Sequence, residues 1–211
     1  MSLRRFVSLL VVLFTLFAAR IARAEAPDVR GFFEAGTGVR TIDPRGLDLR
    51  AATADENASM SMRGSDMRPT AVGTVLMGGG VGIGRFVVGA EIGLGLGGGA
   101  GTKEQAAGDI EVRPSGFVAM ASIGTFAGVI IDTKLVRLRF DGVLTDEIVG
   151  YSMERVGSPE TRVVAVNAER WTLGPRVHAD FWQCDGVAFG ASMWVDARHP
   201  TNAALTLDLS F

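Results

Sequence analysis

The sequence predicts an all-β chain closed into an antiparallel up-and-down barrel that crosses a membrane, with eight strands and ten as the alternative. Three observations predict it. Apolar residues recur at every second position over long stretches. The connections between these stretches alternate between short and long. The final residues, "NAALTLDLSF", still alternate at Phe211, where chain ends are usually frayed and polar.

The first element is an export signal over residues 1–24. Arg4 and Arg5 precede an uncharged apolar run from Phe6 to Ala19, and Ala22-Arg23-Ala24 has the small-x-small form of a cleavage site after Ala24. That run is shorter than the roughly 20 residues a spanning helix needs. Removing 24 of 211 residues leaves 187, enough for one domain. The removed segment holds four arginines and no acid, so 17 basic residues remain against 23 acidic ones. The acidic balance and the lack of any basic stripe argue against a nucleic-acid partner. Cys184 is the only cysteine, so no intramolecular disulfide can form and no cysteine stands at the cleavage site for acylation.

A short segment over 25–30 precedes the barrel, residues 31–211. Strands are expected over 31–42, 69–80, 84–97, 113–124, 128–140, 168–182, 186–197 and 203–211. Their alternation is plain in "RFVVGAEIGLGLG", where Phe86, Val88, Ala90, Ile92, Leu94 and Leu96 oppose Gly89, Glu91, Gly93, Gly95 and Gly97. It is sharper over 170–181. There Trp171, Leu173, Pro175, Val177, Ala179 and Phe181 oppose Arg170, Thr172, Gly174, Arg176, His178 and Asp180. The second face, partly glycine, would make a poor solvated exterior but suits a narrow lumen. Trp171 and Phe181 stand ten residues apart, about 25 Å along a tilted strand, which matches the apolar band between aromatic girdles.

Short turns are expected at 81–83, 125–127 and 183–185, long loops at 43–68, 98–112 and 141–167, and a brief one at 198–202. Asp185-Gly186 supplies the positive φ of a tight hairpin beside Cys184. Two irregularities predict bulges: the parity slips near Leu135, and Pro175 removes a ladder donor mid-strand. Residues 141–167 read as strand extensions above the membrane or as the two further strands of a ten-stranded barrel.

Phe211, Leu209, Leu207, Leu205 and Ala203 occupy alternate positions up to the terminus. That ending resembles the C-terminal signature of Gram-negative outer-membrane barrels. With the export signal and the loop alternation, the chain resembles the small eight-stranded barrels of the OmpA/OmpX type. The resemblance implies residence in the outer membrane as a monomer surrounded by lipid. It also implies recognition of Leu205, Leu207, Leu209 and Phe211 by the barrel-assembly machinery. The chain departs from that pattern in its short last loop and in having Tyr151 as its only tyrosine.

No motif points to catalysis or a cofactor. "GLGLGG" (93–98) and the following "GAGTK" lack the helix that phosphate binding requires. Neither G-x-S-x-G nor H-E-x-x-H occurs, and two histidines offer little to a metal. His178 beside Asp180 could form a general base, the basis of a lipid-modifying alternative. A network of paired lumen charges accounts for the same residues: Glu34, Arg40, Glu91, Lys134, Arg137, Arg139, Arg170, Arg176, His178, Asp180 and Asp196, with Asp132, Glu169 and Asp208 nearby. The expected function is therefore non-catalytic: a plugged barrel serving envelope structure or surface contact through its outer loops, the surface partner unspecified. The competing reading is an exported soluble barrel of lipocalin type, with its apolar faces turned inward around a small apolar ligand. The sequon Asn57-Ala58-Ser59 and the polar, methionine-bearing loop around it suggest only a mobile outer segment.

Overall fold

The computed structural model describes residues 29–45, 48–52, 59–63, 69–98, 105–107, 110–133, 135–155 and 163–211. The segment read as an export signal, Lys134 and Asn57-Ala58 lie outside them. The described residues form eleven strands and no helix. Eight make the wall: β1 (Val29–Ile42), β4 (Thr70–Ile83), β5 (Phe86–Gly98), β7 (Ile110–Asp132), β8 (Arg137–Arg155), β9 (Val163–Cys184), β10 (Val187–Val195) and β11 (Ala203–Ser210). Three short strands belong to the long connections: β2 (Asp48–Ala52), β3 (Ser59–Arg63) and β6 (Gln105–Ala107).

Each wall strand pairs antiparallel with the next, and β11 returns to β1 from Glu34↔Ser210 to Arg40↔Ala204. Closure leaves no edge within the ring, the condition for spanning a bilayer with strands. The last residue takes part: the Phe33 amide donates to the Phe211 carbonyl at 3.1 Å, and the Phe211 amide donates to the Phe33 carbonyl at 2.8 Å. The barrel has eight strands, not ten, because residues 141–155 and 163–167 lengthen β8 and β9 rather than forming new ones.

Two tight turns use the residues their geometry demands. Ile83 pairs with Phe86 across Gly84-Arg85, with Gly84 at φ 60°. Val187 pairs with Cys184 across Asp185-Gly186, at φ 50° and 85°. The first turn thus falls at 84–85, a few residues past the 81–83 expected.

The connection expected at 125–127 is corrected. Residues 125–132 continue β7, and the turn lies at 133–136, where the Thr133 hydroxyl donates to the Val136 carbonyl at 2.6 Å. The parity slip near Leu135 is therefore this turn and not a bulge. Gly124 and Gly128, which flank the expected turn, face the lumen. A Cβ at Gly128 would stand 2.2 Å from an Asp141 carboxylate oxygen, and one at Gly124 would stand 3.0 Å from the Thr145 hydroxyl.

The bulge expected at Pro175 is also corrected. Pro175 pairs regularly with Gly142 on β8, and the ladder to β10 ends one residue before it, at Arg176↔Trp194. Leu173, two residues away and on the same edge, accepts from Ala197 at 2.9 Å, so the missing donor of Pro175 faces β10 where the ladder has stopped. The bulge lies at Phe181 instead, between the pairs Trp182↔Phe189 and Asp180↔Gly190.

The loop 43–68, expected to be mobile, contains an ordered antiparallel hairpin of β2 and β3. Strand β2 pairs with β9 from Arg50↔Asn167 to Ala52↔Ala165, covering an edge that β10 is too short to reach. The wall thus rises highest over β7, β8 and β9, at the end of the long loops.

Polarity is inverted relative to a soluble protein. Outward positions carry exposed Val75, Ile92, Leu94, Ile123, Leu173 and Leu207. Among described outward side chains of the wall, the only acids or bases are Asp146 and Glu169, both at the level of Trp171 or above it. Inward positions hold buried Glu34, Arg40, Arg139, Glu147, Arg176, His178 and Asp180. The apolar-inside arrangement of a lipocalin-type barrel is the reverse of this.

Candidate functional site: a charged lumen

The inward faces of five strands bring their charges together in three tiers. Nearest the long loops, Glu147 on β8 is fully buried and takes Arg40 of β1 across the lumen. It also takes Nε of Arg170 on β9 at 3.0 Å and the Thr172 hydroxyl at 2.8 Å. Arg170 donates a further bond to the Asp43 carbonyl at 2.7 Å, and the Arg40 guanidinium lies 4.4 Å over the Trp194 ring. Asp43 closes this end: Arg45 binds its carboxylate at 2.6 Å, and the Thr201 hydroxyl, from the short last loop, donates to it as well. Burial pushes the Asp43 carboxyl up, but the Arg45 guanidinium, the Thr201 hydroxyl and the Arg45 amide outweigh it. They hold the group well below the usual carboxylate range.

The middle tier spans the barrel. Arg139 on β8 binds Glu34 on β1 through two nitrogens, at 2.9 and 3.0 Å, and Asp141 at 2.9 Å. Arg176 on β9 binds Asp141 at 3.0 Å and reaches Glu91 on β5. Both guanidiniums sit over the buried Phe126 ring, at 5.2 and 4.7 Å. Phe126 fits because Gly89 lies opposite it: a Cβ there would stand 2.4 Å from the ring. The lumen glycines therefore make room for charges and one aromatic ring.

The third tier is His178. Its Nε2 stands 2.7 Å from Asp180 and its Nδ1 3.4 Å from Asp208. Two carboxylates on two ring nitrogens suit a doubly protonated ring, which has no lone pair left to accept a proton. Below this tier the barrel opens at the tight-turn end into a cavity of about 790 Å³, with Arg30, Arg137, Gln183 and Phe211 in its wall. Within the tiers the spaces shrink to about 20 and 30 Å³.

Of the residues expected in the lumen network, Glu34, Arg40, Glu91, Arg139, Arg170, Arg176, His178 and Asp180 meet in it. Three stand elsewhere or are not described. Arg137 pairs with Asp132 at 2.8 Å on the 133–136 turn, partly exposed. Asp196 is buried but ties the last loop, accepting from the Arg198 amide at 2.9 Å and the Asn202 side chain at 3.3 Å. Lys134 lies outside the described residues. Glu169 points outward. The sequence reading missed Asp141, Glu147 and Asp43. The first two lay in a stretch read as loop, where no inward face could be assigned.

Trp171 and Phe181 both face outward and are about half exposed. The tight-turn rim carries further aromatic pairs, Phe33 with Phe211 at 6.4 Å and Phe181 with Phe189 at 6.2 Å.

The chain combines a transmembrane-type β-barrel with a charge-filled interior. No protein-family model matches it, and no curated protein does. Two solved structures are similar in outline. Neisserial surface protein A (NspA) aligns over 86% of this chain and 97% of its own at 12% identity and a TM-score of 0.47. Ail, the attachment invasion locus protein of Yersinia pestis, in complex with the heparin analogue sucrose octasulfate, aligns over 86% of this chain and 96% of its own, at 10% identity and a TM-score of 0.36.

Proposed function

We propose that the chain is a monomeric, non-catalytic outer-membrane barrel with a plugged lumen. Its business lies at the envelope surface, on the wall that β7–β9 and the β2–β3 hairpin raise beyond the lipid. The observation that carries this is the inverted polarity. Among the described residues, an apolar exterior free of charge below the Trp171 level needs hydrocarbon around it, and an interior crossed by ion pairs leaves no aqueous path of porin width. The exterior of β11, with Leu205, Leu207, Leu209 and Phe211, supports its reading as the assembly signal. His178 serves as a structural cation between Asp180 and Asp208, which leaves neither ring nitrogen free to take a proton from a substrate.

Fractionation tests the membrane assignment. The mature protein should stay with the outer membrane through carbonate washing and dissolve only in detergent. Recovery from the soluble periplasmic fraction without detergent would overturn it.

A further inference from the structure

We propose that the loop-end half of the lumen contains a binding site for a monatomic anion, a halide such as chloride, between Arg40 and Trp194. Three observations converge there. The first is a cavity of about 30 Å³, walled by Arg40, Trp194, Thr145, Arg176, Glu91 and Thr206 among others, with room for roughly two water-sized bodies. The second is a pair of buried donors on that wall. Arg40 and Trp194 are each only 6% exposed, yet Nε of Arg40 and Nε1 of Trp194 have no hydrogen-bond partner in the protein. Both groups can only donate, and a buried donor left unmatched costs roughly 1–3 kcal/mol, so their ligand must accept.

The third is the local charge. Arg40 and Arg170 share one carboxylate, Glu147, while Asp43 above them is matched by Arg45. Around Arg40 itself two guanidiniums therefore meet the one carboxylate of Glu147, while Asp196, the other buried acid of the loop end, is held by the Arg198 amide and the Asn202 side chain. Glu91 also lines the cavity, but Arg176 engages its carboxylate. A water molecule could accept from both donors, but it would bring no charge to the two guanidiniums. A halide meets both donors and adds the second negative charge that the Arg40–Glu147–Arg170 set lacks. Its radius fits where a phosphate or carboxylate would not.

The test is anomalous diffraction from crystals of the detergent-solubilised barrel grown in sodium bromide, with Trp194→Phe as the variant. That change removes one N–H and keeps the ring under Arg40. The wild type should show a bromine peak in the cavity, at hydrogen-bond distance from both Nε of Arg40 and Nε1 of Trp194. In Trp194→Phe the peak should fall to less than half its occupancy. A bromide-saturated wild-type crystal with only water at this position would overturn the proposal, as would a peak of unchanged occupancy in Trp194→Phe. Should the variant not crystallise, bromine-81 NMR line broadening of the folded protein in detergent gives the same comparison. Equal broadening by wild type and variant would count against the site.

Discussion

Arg139 on β8 places two guanidinium nitrogens on the two carboxylate oxygens of Glu34 on β1, at 2.9 and 3.0 Å, from one wall of the barrel to another. Strands β1 and β8 are not neighbours in the sheet, so this pair crosses the lumen rather than following a ladder. It ties two halves of the barrel together across the lumen. Arg139→Ala would leave Glu34 and Asp141 short of a partner, and breaking one side of a buried pair costs about 3–5 kcal/mol. Urea unfolding of the refolded barrel in detergent should show that loss. The double variant Arg139→Ala/Glu34→Ala should cost less than the sum of the two single changes. Simple additivity would mean the pair does not interact.

Purified protein in planar bilayers should give no large, steady conductance, since eight strands leave an interior that side chains fill. Stable porin-sized steps would contradict the closed lumen.

Closure between the first and last strands depends on Gly38. A Cβ there would lie 2.0 Å from the Leu205 carbonyl oxygen and 2.7 Å from the Thr206 Cα, both backbone atoms that cannot move aside. At outward Gly73 the nearest atom, the Leu96 carbonyl, is 3.7 Å away. Gly38→Ala should therefore abolish the compact, heat-modifiable form on gels, while Gly73→Ala should keep it. Equal behaviour of the two would refute the β1–β11 register.

These contacts also show what could be read from the sequence. Strands over 86–97, 170–181 and 187–196 were legible because a clean apolar face opposes a polar or glycine one. The region 125–140 was not. Gly124 and Gly128, on either side of the expected turn, sit where Thr145 and Asp141 need space. The real turn, at Thr133 to Val136, contains no glycine or proline and is closed by a threonine side chain. The lumen partners were legible as residue types but not as pairs. Arg139 meets Glu34 across 105 positions of sequence, a relation that only barrel closure fixes. Asp141 and Glu147 were hidden because Val143, Val149 and Tyr151 share their inward face while Asp146 points out, so neither face of β8 is purely apolar.

Asp43 predicts a pH dependence. Its carboxyl is held below the ordinary range in the folded state, so the stability it contributes is fully present above the unfolded value of about 4. That contribution declines as the pH falls from there toward the lower folded value. Wild type should therefore exceed Asp43→Asn in unfolding midpoint at pH 6, and the gap should narrow steadily below about pH 4. A gap that stays constant down to pH 2 would mean Asp43 is not held by Arg45 and Thr201.

Chain parity puts Cys184, exposed beside the Asp185-Gly186 turn, at the same end as the start of β1 and Phe211. Arg198, exposed on the 196–202 loop, lies at the other. A membrane-impermeant thiol reagent on intact cells should leave wild-type Cys184 unlabelled. It should label Arg198→Cys in a Cys184→Ser background. Labelling of Cys184 on intact cells would invert the orientation.

The central claim is that the apolar faces meet hydrocarbon while the charges meet each other inside. It is tested most directly by NMR of the refolded protein in detergent micelles. Methyl groups of Leu94, Ile123 and Leu207, all more than half exposed on the outward face, should show strong cross-peaks to detergent acyl chains. Those of Val72 and Val143, buried in the lumen, should show none. Acyl-chain contacts at Val72 and Val143, with water contacts at Leu94 and Leu207, would mean the barrel is turned the other way and the account is wrong.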